Sequence, residues 1–297
     1  MAAPAKKREI DDNTRENEDE PMSSDDNDEE IGDGQQQEIQ VDFEGRNPQD
    51  PDFHGIKTLL GQLFLKAHID LGKLTNLIIE QNYVGSVVKQ SDDCDASDDD
   101  ETDVNDVFGI TTVINLSVKQ HEACIMQLRD LLRQLASEHA TDAANNIVKT
   151  VLENDALGLL INERFVNIPA QIAVPLFETL MSEMDRATRK NMPFKFDYFI
   201  LICKLYKYAD GESGKKRKSK KKNGPDEPDI LWSNPEEEIL AEDADCSFEF
   251  SVEKDSDSGL LGNWTEGDDE MVPYRRVLIL EASKLRASLD KIKNLVS

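Results

Sequence analysis

The chain alternates between segments in which apolar residues recur every three or four positions and short runs of β-branched and aromatic residues. The first pattern is typical of helices with one buried face, and the second is typical of buried strands. Helices are predicted near 52–64, 70–81, 124–135, 142–153 and 169–184, after Asn234, and at 283–296. Strands are predicted at 39–43, 84–89, 108–118, 156–161, 194–208, 247–253 and 276–280, and the fold is expected to resume at 230–232 after a hydrophilic insert. This alternation predicts a single α/β domain with a central mixed sheet flanked by helices.

Three hydrophilic segments lie outside this pattern. Residues 1–37 are dominated by Asp, Glu, Asn, Ser and Gln, and they can bury too little apolar surface to offset the entropy of ordering. We therefore predict a disordered acidic tail at 1–37 and a folded domain at 38–297. Two loops interrupt that domain, an acidic loop at 91–106 and a basic loop at 210–226.

The formal net charge of -27 over 297 residues is unevenly distributed. From Asp11 to Glu44 the chain has fifteen acidic residues and one base, and from Asp92 to Asp106 it has nine acidic residues and no base. These two acidic tracts hold most of the excess negative charge. The remainder of the chain is nearly balanced, as in an ordinary folded domain.

The acidic tracts have two interpretations. They either keep a folded protein soluble, or they form a mobile anionic surface that captures a basic partner and screens it from nucleic acid. The second interpretation assigns partner binding to Asp25, Asp26, Asp28, Glu29, Glu30, Asp98, Asp99, Asp100 and Glu101. Ser23 and Ser97 each have an acidic residue three positions later, a pattern that acid-directed kinases accept, and phosphorylation would add further negative charge.

A basic run in the second loop has three interpretations. It consists of Lys215, Lys216, Arg217, Lys218, Lys220, Lys221 and Lys222. A compact basic cluster in a hydrophilic loop is typical of a nuclear localisation signal read by an import receptor. The same bases could instead contact nucleic acid, which the acidity of the chain disfavours, or pair with the protein's own acidic tracts.

The sequence disfavours membrane, metal and nucleotide sites. No stretch reaches the ~18 apolar residues that a membrane span needs. The four cysteines are far apart, which predicts a reducing compartment, and the four histidines have no metal-ligand spacing. No G-x-x-x-x-G-K-[ST] motif is present in the sequence. We predict no cofactor, no metal and no membrane partner.

Several short segments together resemble the BCCIP family. They are the Gly55–Lys66 helix, Gln81–Gln90 (QNYVGSVVKQ), Val107–Gly109, Gly158–Pro169 (GLLINERFVNIP), Pro235–Glu238 (PEEE) and Gly262–Trp264 (GNW). Each segment is short, but their order and spacing extend the resemblance over about 40–296.

The resemblance implies a fold similar to that of the GCN5-type acetyltransferases. It also implies a nuclear protein with cytoplasmic and centrosomal or spindle-pole pools. Fungal members of the family are chaperones and export adaptors for a basic large-subunit ribosomal protein. Animal members are partners of a breast-cancer recombination protein and of a cyclin-dependent kinase inhibitor.

Acetyl-CoA binding is not expected despite that fold. An acetyltransferase would place a glycine-bearing loop after the strand that contains Leu159–Ile161, where backbone amides meet the pyrophosphate. The corresponding stretch, Arg164–Pro169, has no glycine, and Pro169 lacks an N–H. Arg164 is therefore interpreted as a structural residue or as part of a partner surface. Trp264 lies in a polar segment and is interpreted either as the core anchor of a loop or as part of a partner surface.

These observations predict a non-enzymatic nuclear adaptor and chaperone for a basic ribosomal protein, acting in ribosome biogenesis and nuclear transport. The alternative is a cell-cycle and DNA-repair scaffold that binds a recombination mediator or a cyclin-dependent kinase inhibitor and anchors at spindle poles and microtubules. The first function depends mainly on charge, and the second depends on grooves in the folded domain.

Overall fold

The computed structural model describes residues 42–91, 106–154, 156–208, 230–255 and 271–296, which all belong to one compact unit, Val41–Ser297. Several predicted features lie outside the described residues. They are the tail at 1–37 with Ser23 and Asp25–Glu30, the residues 92–105 with Ser97 and Asp98–Glu101, the basic run Lys215–Lys222, and Trp264.

The described elements follow the predicted alternation. The strands are β1 (Phe43–Arg46), β2 (Ser86–Gln90), β3 (Gly109–Asn115), β4 (Leu157–Arg164), β5 (Tyr198–Tyr208), β6 (Ile230–Trp232), β7 (Cys246–Ser251) and β8 (Met271–Glu281). The helices are α1 (Phe53–Phe64), α2 (Leu71–Glu80), α3 (Ala123–His139), α4 (Asp142–Asn154), α5 (Ala173–Arg189), α6 (Glu236–Asp243) and α7 (Ala282–Val296).

Within the described ranges, the strands form one mixed sheet in the order β1-β2-β3-β4-β5-β8-β7, and β6 pairs with β5 beside this path. The pairs are antiparallel except for β4 and β5, which run parallel in the middle of the sheet. The registers place the start of β1, the end of β2, the start of β3 and the ends of β4 and β5 at one end of the sheet.

Helices cover both faces of the sheet. Successive strand residues point to opposite sides, and in the central strands both sets of side chains are buried under helices. Leu159 and Ile161 of β4 face a core formed with α1, α2, α3 and α4. Leu160 faces a second core formed with α5, α6 and α7. This arrangement confirms a single mixed α/β domain with a central sheet flanked by helices. None of the described helices combines the length and the apolarity that crossing a membrane requires.

Element boundaries differ from prediction where burial does not follow the apolar pattern. β4 continues beyond Ile161 to Arg164 because its last three residues are polar but buried. β5 begins at Tyr198 rather than Phe194, since Phe194 and Phe196 pack into the core ahead of the strand with their ring centroids 6.1 Å apart. α5 begins at Ala173 rather than near Pro169, after a short 3₁₀ turn.

A tight turn ties α2 and β2 to the rest of the domain. Gly85 has φ +118, and its amide donates a hydrogen bond to the Glu183 carboxyl of α5 at 2.8 Å. The Thr112 hydroxyl of β3 donates to the Val84 carbonyl at 3.0 Å. A Cβ on residue 85 would lie 2.3 Å from the Thr112 hydroxyl oxygen, so only glycine fits here.

We predict that Gly85→Ala lowers the free energy of unfolding by at least ~2 kcal/mol, because it adds both a strained φ and a steric clash. The matched control is Gly61→Ala in α1, where a Cβ would meet no atom within 4 Å. The control should leave stability unchanged or raise it by up to ~1 kcal/mol. Urea denaturation measures both variants, and equal effects would refute the assigned role of Gly85.

Candidate functional site

The two parallel strands in the middle of the sheet separate soon after they meet. β4 and β5 pair only at Leu157–Leu159 with Tyr198–Ile200, although both strands continue further. Their carboxyl ends therefore diverge and leave an opening in the sheet. In open α/β sheets, such an opening beside the carboxyl ends of strands is a usual place for a ligand.

In this protein the chain itself fills the opening. β6 pairs with Leu205–Lys207 of β5, and the Ser233 amide then donates to the Lys204 carbonyl at 3.0 Å. The next residue reaches β4, since the Asn234 side-chain amide donates to the Asn162 carbonyl at 2.9 Å. The segment from β6 to α6 thus replaces the missing contacts between β4 and β5.

A buried polar network joins this segment to β4. Both terminal guanidinium nitrogens of Arg164 donate to the Glu236 carboxylate, one of them at 2.8 Å, and Arg164 is only 5% exposed. The Asn162 amide donates to Glu236 at 2.8 Å and to Glu237 at 3.3 Å. Asn234 donates to Glu237 at 3.0 Å. Glu236 and Glu237 both lie in the first turn of α6, where the helix dipole favours the negative charge of Glu236.

A second buried ion pair lies on the opposite face of the sheet. Glu163 of β4 pairs with Lys204 of β5, and both side chains are less than 10% exposed. The nearby Arg275 donates to the Gln62 carbonyl at 2.8 Å and to the Leu63 carbonyl at 3.2 Å, at the carboxyl end of α1. That helix end carries partial negative charge, which compensates the buried guanidinium.

Two buried groups in and beside the network, Glu237 and Cys203, have raised pKa values. Burial, together with the negative charges of Glu163 and Glu236, raises the pKa of Glu237 from its ordinary 4.5 to about 8. Burial and the adjacent Glu237 also raise the pKa of the Cys203 thiol well above its ordinary value. At neutral pH Glu237 is therefore mostly a neutral carboxylic acid, and Cys203 is an unreactive thiol.

The network corrects one prediction and adds residues that the sequence did not reveal. Arg164 does not form a partner surface, because it is buried against Glu236. Asn234, Glu236 and Glu237 were not predicted as site residues. Their signal lay in the family segments 158–169 and 235–238, which fold against each other. No group of three or more metal-ligating side chains is found among the described residues.

The loop after β4 is also closed by apolar packing. Ile168 is buried with Val88 and Leu176, and Pro169 precedes the short turn before α5. The side chains of the loop and of the polar network thus occupy the region where an acetyltransferase-like cofactor was considered. The polar network and the packed loop therefore hold the diverging ends of β4 and β5 together.

The two acidic tracts meet the fold at one corner of the sheet. The first tract enters at Asp42, and the second leaves at Ser91, whose amide donates to the Asp42 carbonyl at 2.9 Å. The second tract re-enters at Asp106, and the Phe108 amide donates to the Val88 carbonyl of β2 at 2.8 Å. We call this place the acidic corner, defined by Asp42, Ser91 and Asp106.

A groove with a volume of about 560 Å³ lies at the acidic corner. Its lining residues come from the start of α1, from the residues before β3 and from the residue after β4: Pro51, His54, Gly55, Thr58, Asp106, Val107, Phe108 and Phe165. Beside the groove, Lys89 of β2 pairs with Asp52 at 2.6 Å, which fixes the start of α1. Asp52 therefore makes this ion pair and does not cap α1.

The buried Arg164–Glu236 pair should be far more important for stability than an exposed pair of the same type. We predict that Arg164→Met costs about 3–5 kcal/mol, because it leaves the Glu236 carboxylate buried without its partner. The control is Arg286→Met, which breaks the exposed Arg286–Asp185 pair and should cost less than ~1 kcal/mol. Chemical denaturation compares them, and similar losses would contradict the role given to Arg164.

The raised pKa of Glu237 predicts a pH dependence of stability. The folded state keeps a proton on Glu237 up to about pH 8, whereas the unfolded state releases it near 4.5. The stabilisation from this group is therefore present below pH 4.5 and is lost as the pH rises through about 8. Glu237→Gln keeps the neutral shape, so its unfolding free energy should fall less between these pH values than that of the wild type. The neighbouring exposed Glu238→Gln is the control, and a wild-type slope in both variants would contradict the assignment.

Comparison with known proteins identifies the family. A sequence model of the BCCIP family matches residues 38–240. The Drosophila melanogaster "Protein BCCIP homolog" is 42% identical over 267 residues, which cover 88% of this chain and 86% of that protein. The Bos taurus "BRCA2 and CDKN1A-interacting protein" is 35% identical over 264 residues, which cover 88% of this chain and 85% of that protein.

A solved structure shares the fold. The crystal structure of BCP1 from Saccharomyces cerevisiae superposes with a TM-score of 0.57 at 19% identity, and the match covers 89% of this chain and 93% of that one. The fold likeness agrees with the family model and with the sequence identities, which extend over most of each chain. This chain belongs to the BCCIP family.

Proposed function

We propose that this protein is a non-enzymatic nuclear adaptor and chaperone that binds a basic large-subunit ribosomal protein, in support of ribosome biogenesis and nuclear transport. The observation that carries the proposal is the acidic corner. Two tracts separated by almost fifty residues of sequence, and together strongly negative, join the fold at backbone positions that are hydrogen-bonded to each other.

The described residues at which the two tracts join the fold lie at the corner that holds the groove. Each exposed charge pair contributes little in water, but many carboxylates on adjacent segments attract a basic protein and raise its association rate. The folded corner can then supply contacts that depend on shape. Charge would provide capture, and the groove would provide selectivity.

The interior of the sheet supports a function without catalysis. The opening between β4 and β5 is filled by Asn234, Glu236 and Glu237, and the loop after β4 is packed around Ile168. The parallel pair in an otherwise antiparallel sheet is compatible with the expected likeness to GCN5-type acetyltransferases, which stays a prediction. A thermal shift on adding acetyl-CoA would count against the non-enzymatic proposal.

Nuclear import by the basic run Lys215–Lys222 completes this proposal. The run lies between Tyr208 of β5 and Ile230 of β6, and it is long enough in sequence to be read by an import receptor. Cytoplasmic and centrosomal pools also remain proposals.

The second candidate function is a scaffold in the cell cycle and DNA repair. The observation that favours it is the name of the Bos taurus relative, which describes an interaction with BRCA2 and CDKN1A. On this alternative, the protein would bind a recombination mediator or a cyclin-dependent kinase inhibitor, and it would anchor at spindle poles. Such binding would use a folded surface and would depend less on salt.

The test measures the affinity for the basic client as a function of salt concentration. We expect a purified basic large-subunit ribosomal protein to bind the full chain at low salt and to lose affinity by at least about tenfold between 50 and 300 mM NaCl, because salt screens exposed charges. A variant with the acidic residues of 1–37 and 92–105 changed to Asn and Gln should bind weakly at both concentrations. Unchanged affinity in that variant, together with salt-independent binding, would refute the proposal and favour the scaffold.

A further inference from the structure

The groove at the acidic corner has a chemistry that suits one particular side chain. Two aromatic residues line it, Phe108 ahead of β3 and Phe165 after β4, and both are partly exposed. Asp106 is exposed and lies on the same lining. Aromatic rings next to a carboxylate favour a planar cation, which can stack on a ring while it donates hydrogen bonds to the acid.

The wall of the groove is held in a fixed position. Gly55 of α1 lies so close to Val107 that a Cβ on residue 55 would be 2.6 Å from the Val107 Cβ. The Lys89–Asp52 ion pair holds the start of the same helix against β2. Phe108 is further fixed by Phe43 of β1, with ring centroids 5.4 Å apart at an angle of 70°. The groove is therefore preformed, and binding needs little ordering of its walls.

The charge at the acidic corner determines the sign of the charge that an occupant should carry. Asp42 and Asp106 are exposed acidic residues at this corner, so a cationic segment that approaches the groove meets charges of opposite sign. The volume of about 560 Å³ is within the range of sites that hold a small ligand or one to two long side chains.

We propose that this groove is an arginine-anchor site, in which an arginine of the basic client lies on Phe108 and Phe165 and its guanidinium pairs with Asp106. This inference rests on the proposed function and deepens it, because it names the side chain that the folded domain selects. Lysine at the same place would keep the charge but lose planar stacking and the two-pronged contact with the carboxylate.

The chain's own basic run is an alternative occupant of the groove. The basic run Lys215–Lys222 follows β5 in the sequence, and the end of β5 lies at the same end of the sheet as the acidic corner. That run contains six lysines and one arginine, so it fits a general charge contact better than a site that selects arginine. If the run occupied the groove, changing its seven bases to alanine would strengthen the binding of an arginine-containing segment more than that of a lysine-containing segment of equal charge.

The experiment compares two peptides on the full chain by isothermal titration calorimetry. One peptide of about eight residues alternates arginine with glycine, and the other replaces every arginine by lysine at the same charge. We expect the arginine peptide to bind about threefold to tenfold more tightly, the gain that stacking on an aromatic ring gives in a partly desolvated site.

A variant in the groove wall tests whether the preference for arginine arises at the groove. Thr58→Arg places a long cation on the groove wall, and it should remove the preference for arginine. The matched control is Thr150→Arg on α4, which does not line the groove. Both threonines are exposed helical residues whose hydroxyl donates to the carbonyl four residues earlier, at 2.9 Å for Thr58 and 2.8 Å for Thr150. The control should retain the preference.

The outcomes separate this inference from the proposed function. Equal binding of both peptides, with strong salt dependence, would overturn the arginine anchor and leave charge capture intact. A preference for arginine that persists in Thr58→Arg would also overturn it. An arginine preference that appears only after the seven bases at 215–222 are changed to alanine, and that Thr58→Arg removes, would assign the groove of the unaltered chain to its own basic run. Absence of any salt-dependent binding would overturn the proposed function itself.

Discussion

The divergence of β4 and β5 is the constraint on which the rest of the domain depends. Two parallel strands that separate leave backbone groups and side chains without partners, and unpaired polar groups are costly inside a protein. Here the segment from β6 to α6 enters the opening, and Arg164 with Glu236 closes it. The interior thereby becomes a continuous core on both sheet faces, with charge buried where a ligand would otherwise bind.

This solution explains why strongly polar residues are found in a strand that is buried along its whole length. A buried ion pair gives little net stability compared with apolar packing, yet removing one partner is very costly. Such a pair therefore specifies one arrangement of the strands more than it strengthens the fold. Glu237 remains neutral at ordinary pH, which limits the number of charges that the interior must hold.

The elements and the fold class followed from the periodicity of apolar residues, since α1, α3 and α7 have clear apolar faces and β3 is rich in β-branched residues. The polar network could not be predicted in the same way. Nothing local indicates that Glu236 lies in the core, because its partner Arg164 is 72 residues away. For Arg164 the sequence left two interpretations open, a structural residue or part of a partner surface, and only its burial against Glu236 decides for the first.

Finding the acidic corner required both the sequence and the structure. The sequence contained the two acidic tracts, and only the register of β1 with β2 brought their ends together. At this end of the sheet the hydrophilic segments join the fold, whereas the opposite end has short connections such as Gln81–Gly85. Lengthening a surface segment costs little entropy, about 0.6 kcal/mol for each doubling. The acidic tracts and the basic run can therefore change in length and charge during evolution while the packing between β4 and β5 stays the same. The affinity for a basic partner can thus evolve separately from the fold.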